Sequence, residues 1–396
     1  MIEITNKENC SGCSSCANIC PKKCITMQMD EEGFLYPKVN KLDCINCNLC
    51  EHSCPILNPI PEEKHNQKAF LIQNKDEKIR KESTSGGAFT AIASYILSRG
   101  GVVFGACFDE SYVVRHIYVE QKKNLEKFRN SKYVQSEIGD TFIKAKYFLD
   151  SGRMVCFSGT PCQIEGLKSY LGKEYRNLIT VDLICRAVPS PLLWKKYLDM
   201  KKDSIGNNIN KVMFRDKYYG YKYSTMTICS DKKQYHAGVE SDQWLRAFFT
   251  EICDRPSCYQ CKFKKRYRIS DFTIWDCFTV DAFNKEMDDD KGTTRMITQS
   301  AKGEKILDLI KHEIVCYPID LDKSINGVKE MFYSVEKNHK REQFVLDMQN
   351  MDGKNLLNKY FPETFKVKLE RSVRLISYQL GIYKQMKKIA KKFLKK

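Results

Sequence analysis

Residues 10–21 read CSGCSSCANICP and residues 44–55 read CINCNLCEHSCP. Both runs are C-x2-C-x2-C-x3-C-P, a spacing that binds cubane iron–sulfur clusters in pairs. Three thiolates at two-residue spacing wrap a tight loop around three irons, and the fourth, beside a proline, points toward the neighbouring cluster. The spacing therefore assigns Cys10, Cys13, Cys16 and Cys54 to one 4Fe-4S cluster, and Cys44, Cys47, Cys50 and Cys20 to another. Ser11, Gly12, Ser14, Ser15, Asn46 and Asn48 are small and let the backbone approach the sulfurs. Closed zinc sites use two separate cysteine pairs, so zinc is the weaker reading. Cys24 is left over and reads as a small buried hydrophobe. Between the runs, MDEEGFLYPKV predicts a hairpin with a glycine turn, and ILNPIPEEKHNQ predicts a linker.

The chain has nineteen cysteines and six histidines, with no H-E-x-x-H zinc pattern. The opening MIEITNKENC lacks a basic segment followed by an apolar one, so the expectation is a cytoplasmic chain with reduced cysteines that bind metal. A formal charge of +17 points to nucleic acid or an anionic membrane. Thiolate-bound clusters carry negative charge and offset part of that excess. The basic residues lack the interleaved aromatics of a stacking platform, so nucleic acid is not an expected partner. Much of the remaining charge lies in ERSVRLISYQLGIYKQMKKIAKKFLKK, where Val373, Ile376, Leu380, Tyr383 and Ile389 fall at near-helical spacing. A helix resting on a membrane surface and a helix packed on its own domain both fit that pattern.

From residue 68 the pattern alternates strand and helix: KAFLIQN, then a helix with Phe89, Ile92, Ala93, Ile96 and Leu97 on one face, then VVFGACF. Thr84 or Ser85 can cap that helix, and the Ser83–Gly87 loop is either an anion site or a plain N-cap. FSGTPCQIEGL continues the alternation, with a strand at 154–157, a helix at 162–171 and a strand at 178–184. The two strands should be parallel neighbours joined by a right-handed crossover, bringing Cys162 and Cys185 to their carboxyl ends. RPSCYQCKF adds Cys258 and Cys261. These four cysteines can complete a third 4Fe-4S site, while buried cysteines plus a structural zinc knuckle are the alternative. Cys253 and Cys277 read as non-ligands, and Cys107, Cys156 and Cys229 as core. The fold class expected is α+β, a bacterial-type dicluster ferredoxin module followed by an α/β iron–sulfur domain. The divisions fall at 1–62, 68–150, 151–330 and a basic helical tail at 331–396.

STSGGAF, SKYVQS, FSGTPCQIEGL, VDLIC with VPSP, FRDKYYGY, RPSCYQCKF, ISDFTI and DDDKGT follow one another in a fixed order. Together they resemble the beta-subunit family of coenzyme F-420 hydrogenases and dehydrogenases, over residues 1 to about 330. The resemblance implies FAD, held by segments matching Ser85-Gly86-Gly87, Lys132-Tyr133-Val134-Gln135-Ser136 and Ser158-Gly159-Thr160. It also implies a cluster at Cys162, Cys185, Cys258 and Cys261. The activity it implies is an oxidoreductase that passes electrons from a low-potential, ferredoxin-type donor through 4Fe-4S clusters to FAD and on to a small organic acceptor, sugar-related compounds among the candidates. The alternative is an electron-transfer subunit of a larger hydrogenase or dehydrogenase complex. Two departures concern the substrate side: Cys185-Arg186-Ala187 stands where the family has Cys-His-Gly, and Trp275-Asp276-Cys277-Phe278-Thr279 where Gly-Asp-Phe-Trp-Gly is common.

Overall fold

A computed structural model describes residues 1–383 and residue 385. At its front, β1 (Ile25–Met29) and β2 (Leu35–Val39) pair antiparallel between the two cysteine runs. The intervening turn is the expected one: Asp30 accepts from the Glu32 and Phe34 amides, and Gly33 has φ +86°, a conformation that favours glycine. A side chain at Gly33 would also come within 2.5 Å of the Leu192 nitrogen, so this turn is pressed against the body of the protein.

The body carries β3 (Lys68–Asn74), β4 (Val102–Phe108), β5 (Val114–Val119), β6 (Val155–Ser158) and β7 (Leu178–Leu183). After these come β8 (Ile209–Asp216), β9 (Thr225–Ser230), β10 (Gln234–Gly238), β11 (Phe272–Asp276), β12 (Thr294–Thr298) and β13 (Ile314–Ile319). Eight of these strands form one sheet in the order β13-β3-β12-β11-β7-β6-β4-β5, and β10-β9-β8 form a second, antiparallel sheet. Strands β4, β6, β7 and β11 run parallel, with β6 and β7 adjacent in the register Val155↔Leu178 to Ser158↔Val181. The carboxyl ends of those four strands therefore lie along one edge, joined there by the start of β12, which is antiparallel to β11.

Helix Pro161–Leu171 follows β6 with proline at its first position and Gly172 at φ +66° at its end, as its sequence predicts. Helix Ala88–Ser98 buries Ile92, Ala93, Ile96 and Leu97 against the large sheet. Its cap differs from expectation: Gly87, at φ +82°, occupies that position without a side-chain bond. Thr84 and Ser85 are engaged elsewhere, on Ser131 and Thr294.

A second core joins helix Pro191–Ile205 to the smaller sheet through Trp194, Tyr197, Phe214 and Trp244. Phe344, Met348, Leu356, Leu357 and Phe361 belong to this core. The segment following residue 331 is thus part of the body, and the peripheral tail starts with helix Phe365–Gln379. Its sequence is charged enough to read as a solvated tail. The apolar residues of helices Arg341–Asn350 and Gly353–Tyr360 nonetheless find partners on helix Pro191–Ile205.

Candidate iron–sulfur and electron-transfer site

The two N-terminal cysteine runs cross as their spacing requires. A single pocket is lined by Cys20, Cys44, Cys47 and Cys50. Cys10 and Cys54 act electrostatically on Cys13, and Cys13, Cys10 and Cys54 on Cys16, so these four sulfurs are gathered together. Burial pushes the Cys13 thiol up to about 12 and the Cys16 thiol well above its ordinary value, and the other sulfurs add to the effect. By themselves these groups stay neutral thiols; to ionise in so buried a place they need a cationic partner, which an iron core would supply. Ser14, Asn46 and Asn48 take left-handed backbone conformations within the loops, which is why small residues stand there. Cys24 is buried as expected, but it lies 3.4 Å from the Cys20 sulfur and lines the same pocket.

The third set also assembles. Cys162, Cys185, Cys258 and Cys261 line one pocket together with Ser11, Ile56, Arg186, Lys264 and Arg268. The sheet explains the first two, because β6 and β7 are adjacent and both cysteines follow their carboxyl ends. Burial raises the Cys162 thiol and takes Cys185 up to about 11, with Lys264 and Arg268 opposing the rise at Cys185. Lys264 donates to the carbonyls of Cys185, Arg186 and Glu330, which fixes its cation beside the pocket. Cys253 is buried in the second core, and the Cys277 sulfur accepts from Arg295 at 3.2 Å, so both stand apart from the four. Cys107 and Cys156 are core residues on β4 and β6, and Cys229 is half-buried on β9.

The first and third sets meet. Ser11, in the first cysteine loop, and Ile56, beyond the second run, form part of the third pocket's wall. A side chain at Gly166, on the helix that begins beside Cys162, would lie 2.7 Å from the Cys13 β-carbon and 3.0 Å from its sulfur. Arg255, the first residue of RPSCYQCKF, binds the two regions together, a role its place in that motif did not show. It is fully buried, donates to the Cys10 carbonyl at 2.7 Å, the Leu35 carbonyl at 3.0 Å and Gln135 Oε1 at 2.7 Å, and reaches the Cys10 sulfur at 3.6 Å. Its guanidinium also lies 4.2 Å from the Tyr36 ring centre. The hairpin turn is anchored as well, through a buried Glu32–Arg341 ion pair at 2.5 Å.

The three segments expected around a flavin reach the same sheet edge. Ser131 joins the Thr84 loop, its amide donating to Thr84 Oγ1 at 2.7 Å, and Gly86 donates to Thr294 Oγ1 at 2.9 Å. A side chain at Gly86 would strike the Ile72 carbonyl at 2.1 Å. Ser136 and Ser158 are linked through His116, whose ring nitrogens lie 2.9 Å from Ser136 Oγ and 3.0 Å from the Ser158 carbonyl. Burial lowers His116 to about 4, so the ring is neutral at physiological pH. Gly159 donates to the Val181 carbonyl, and Thr160 Oγ1 lies 3.1 Å from the Cys162 sulfur. Half-buried Lys132 donates to the carbonyls of Lys127 and Arg129, and burial lowers it to about 7.

Two of the expected flavin contacts are turned to other work. Gln135 donates to the Ser11 carbonyl at 3.0 Å and accepts from Arg255, so its amide joins the first cysteine loop to the body. The Tyr133 ring stacks on Phe248 at 4.6 Å, and its hydroxyl accepts from Arg215 at 2.9 Å.

Several residues at this edge lie in the FRDKYYGY motif or at the departures, and the structure gives them their partners. Arg215 pairs with Asp276 at 2.8 Å, and Tyr221 donates to the Thr293 carbonyl at 3.1 Å. Lys217, lowered to about 7 by burial with Arg80 adding to the effect, donates to the Ser85 carbonyl at 2.6 Å. Both Asp254 carboxylate oxygens are buried without a hydrogen-bond partner among the described residues. Burial, with Glu251 adding to it, raises that carboxyl to about 8. At the departures, Arg186 forms ion pairs with Glu251 and Glu330. The Trp275 indole nitrogen is buried without a hydrogen-bond partner among the described residues, and Phe278 stacks on Tyr221 at 5.1 Å.

Crossed cysteine runs docked on a mixed sheet whose edge carries a further cysteine set define an iron–sulfur protein of the electron-transfer class. Family models for the N-terminal and C-terminal parts of the coenzyme F420 hydrogenase/dehydrogenase beta subunit match residues 69–141 and 152–323, and a 4Fe-4S dicluster domain matches residues 9–57. The chain belongs to that beta-subunit family, with the dicluster domain in front of it. Among solved structures, a chain of the F420-reducing NiFe hydrogenase complex from Methanosarcina barkeri is similar at 16% identity, covering 69% of this chain and 91% of that one, with a TM-score of 0.46. At that score the likeness carries no argument. No curated protein matches the chain.

Proposed function

We propose that this chain is an iron–sulfur flavoprotein oxidoreductase that draws electrons from a ferredoxin-type donor and delivers them to a small organic acceptor. One observation carries the reading: Ser11 of the first cysteine loop and all four cysteines of the third set share one pocket, at the edge where the glycine and serine segments converge. Cys162, Cys185, Cys258 and Cys261 would hold a third 4Fe-4S cluster, and Lys264 and Arg268 offset its charge. The donor would dock at the Cys44–Cys50 loop, where Cys47, Leu42, Ile45 and Leu49 are exposed.

Ser85–Gly87, Lys132–Ser136 and Ser158–Thr160 would hold FAD, and Lys217 donates to the Ser85 carbonyl beside the first of these segments. FAD supplies exchange of one or two electrons. Arg215 keeps the Asp276 carboxylate paired, so Asp276 positions the neighbouring chain in preference to moving a proton. The bulky Trp275 and Phe278 reshape this side, which favours a small acceptor, sugar-related compounds among the candidates, over the deazaflavin coenzyme. A second reading, an electron-transfer subunit of a larger complex, is favoured by Gln135, which is committed to the cysteine loop.

Anaerobically purified protein is expected to contain FAD as well as iron, with the flavin absorbance bleached by dithionite or reduced ferredoxin. Lys132→Met should lower FAD retention without loss of iron. Protein with full iron that neither contains nor takes up FAD would hand the function to the electron-transfer subunit.

A further inference from the structure

Helix Phe365–Gln379 is turned the opposite way from an ordinary surface helix, which buries its apolar stripe. Its contacts with the body are polar and aromatic. Arg374 lies 3.6 Å from the Tyr223 ring centre, Glu370 accepts from the Tyr223 hydroxyl at 3.4 Å, and the Tyr378 ring lies 4.5 Å from that of Tyr218. The outer side carries Phe365, Leu369, Val373, Ile376 and Leu380, exposed by 81%, 50%, 43%, 54% and 67%. Spacings of three and four residues align them in one row, and Ile382, 40% exposed, follows it. Single exposed apolar residues are ordinary, but a continuous row marks a surface built to be covered.

Charge decides what covers it. Lys366 and Lys368 are exposed beside the row, and residues 384–396 bring seven lysines and no acidic residue. A second copy of this chain would set that charge against its like. An anionic lipid surface is complementary to it, while an apolar helix face sinks into the headgroup boundary. No helix among the described residues is long and apolar enough to cross a membrane, so the contact is peripheral. We propose that the exposed apolar face of helix 365–379 rests on an anionic membrane surface. This inference is independent of the flavin reading.

The test is flotation of the full-length holoprotein with vesicles of phosphatidylcholine plus phosphatidylserine, and with pure phosphatidylcholine. Binding is expected to the anionic vesicles and to be about a hundredfold or more weaker to the neutral ones. L369D/I376D, at exposed positions, should weaken anionic binding by about tenfold or more with iron content unchanged. Deletion of residues 384–396 should weaken it too. Absence of binding to anionic vesicles would overturn the proposal, as would undiminished binding by the double variant. A dimer in solution that the double variant abolishes, without vesicle binding, would assign the face to a second copy and also overturn it.

Discussion

The first and third cysteine sets offer the same ligand chemistry and are built in opposite ways. Cys10, Cys13 and Cys16 lie within seven residues, and Cys54 comes from the matching run. The third set draws Cys162, Cys185 and the Cys258/Cys261 pair from three places, brought together by the adjacency of β6 and β7. A local loop fixes its sulfurs by backbone geometry alone. A dispersed site depends on the whole sheet, and so it reports on the integrity of the body. Between the two stands Arg255, held by both regions.

The largest expected effect separates the two sets. Cys162→Ser or Cys258→Ser should remove about four iron per chain and leave the paired EPR signals of the N-terminal clusters. Cys253→Ser and Cys277→Ser should keep full iron; equal loss from all four variants would break the distinction. Cys54→Ser sharpens the other side of the comparison. It should damage the cluster of Cys10, Cys13 and Cys16 and spare that of Cys44, Cys47 and Cys50, as cluster-resolved EPR would read.

Docking of the front module on the body comes next in size. Arg341→Met leaves Glu32 buried and unpaired, and breaking such a pair costs about 3–5 kcal/mol. Chemical denaturation should register that loss, and limited proteolysis should cut the linker around residues 57–67 sooner. The Arg255 contact is then tested by potential. Arg255→Gln removes a cation beside the Cys10 sulfur, so the midpoint of that cluster should fall by on the order of 60 mV, a tenfold shift for one electron. The Cys44 cluster should stay put in the same titration, and parallel movement of both would show a merely structural role.

The smallest effect depends on pH. His116 has a folded pKa of about 4, against 6.5 for the free group. As pH falls through 6.5 the unfolded chain takes up a proton that the folded one refuses, so stability drops between pH 6.5 and about 4. By pH 5 the loss is about 2 kcal/mol. Thermal melts of His116→Asn should lack that increment, and an unchanged slope would remove His116 from the buried Ser136–Ser158 link.

Whatever backbone geometry settles over a few residues was legible from the amino acids alone. The crossed pairing followed from two runs of one spacing, the hairpin turn from Gly33, and helix 161–171 from Pro161 and Gly172. The placement of Cys162 and Cys185 was legible too, because a strand–helix–strand unit has one favoured hand. Tertiary structure alone decided the rest. Arg255 reads as an ordinary basic residue until its side chain is seen crossing from the Cys258 segment to the Cys10 loop. Gln135 stood within a flavin-like motif, yet its amide is used by Ser11. Residues 341–361 looked like part of a charged tail, and their few apolar side chains complete the second core. The outward apolar row on helix 365–379 shows the same limit: helical periodicity gives a face, but only packing against Tyr218 and Tyr223 tells which way it points.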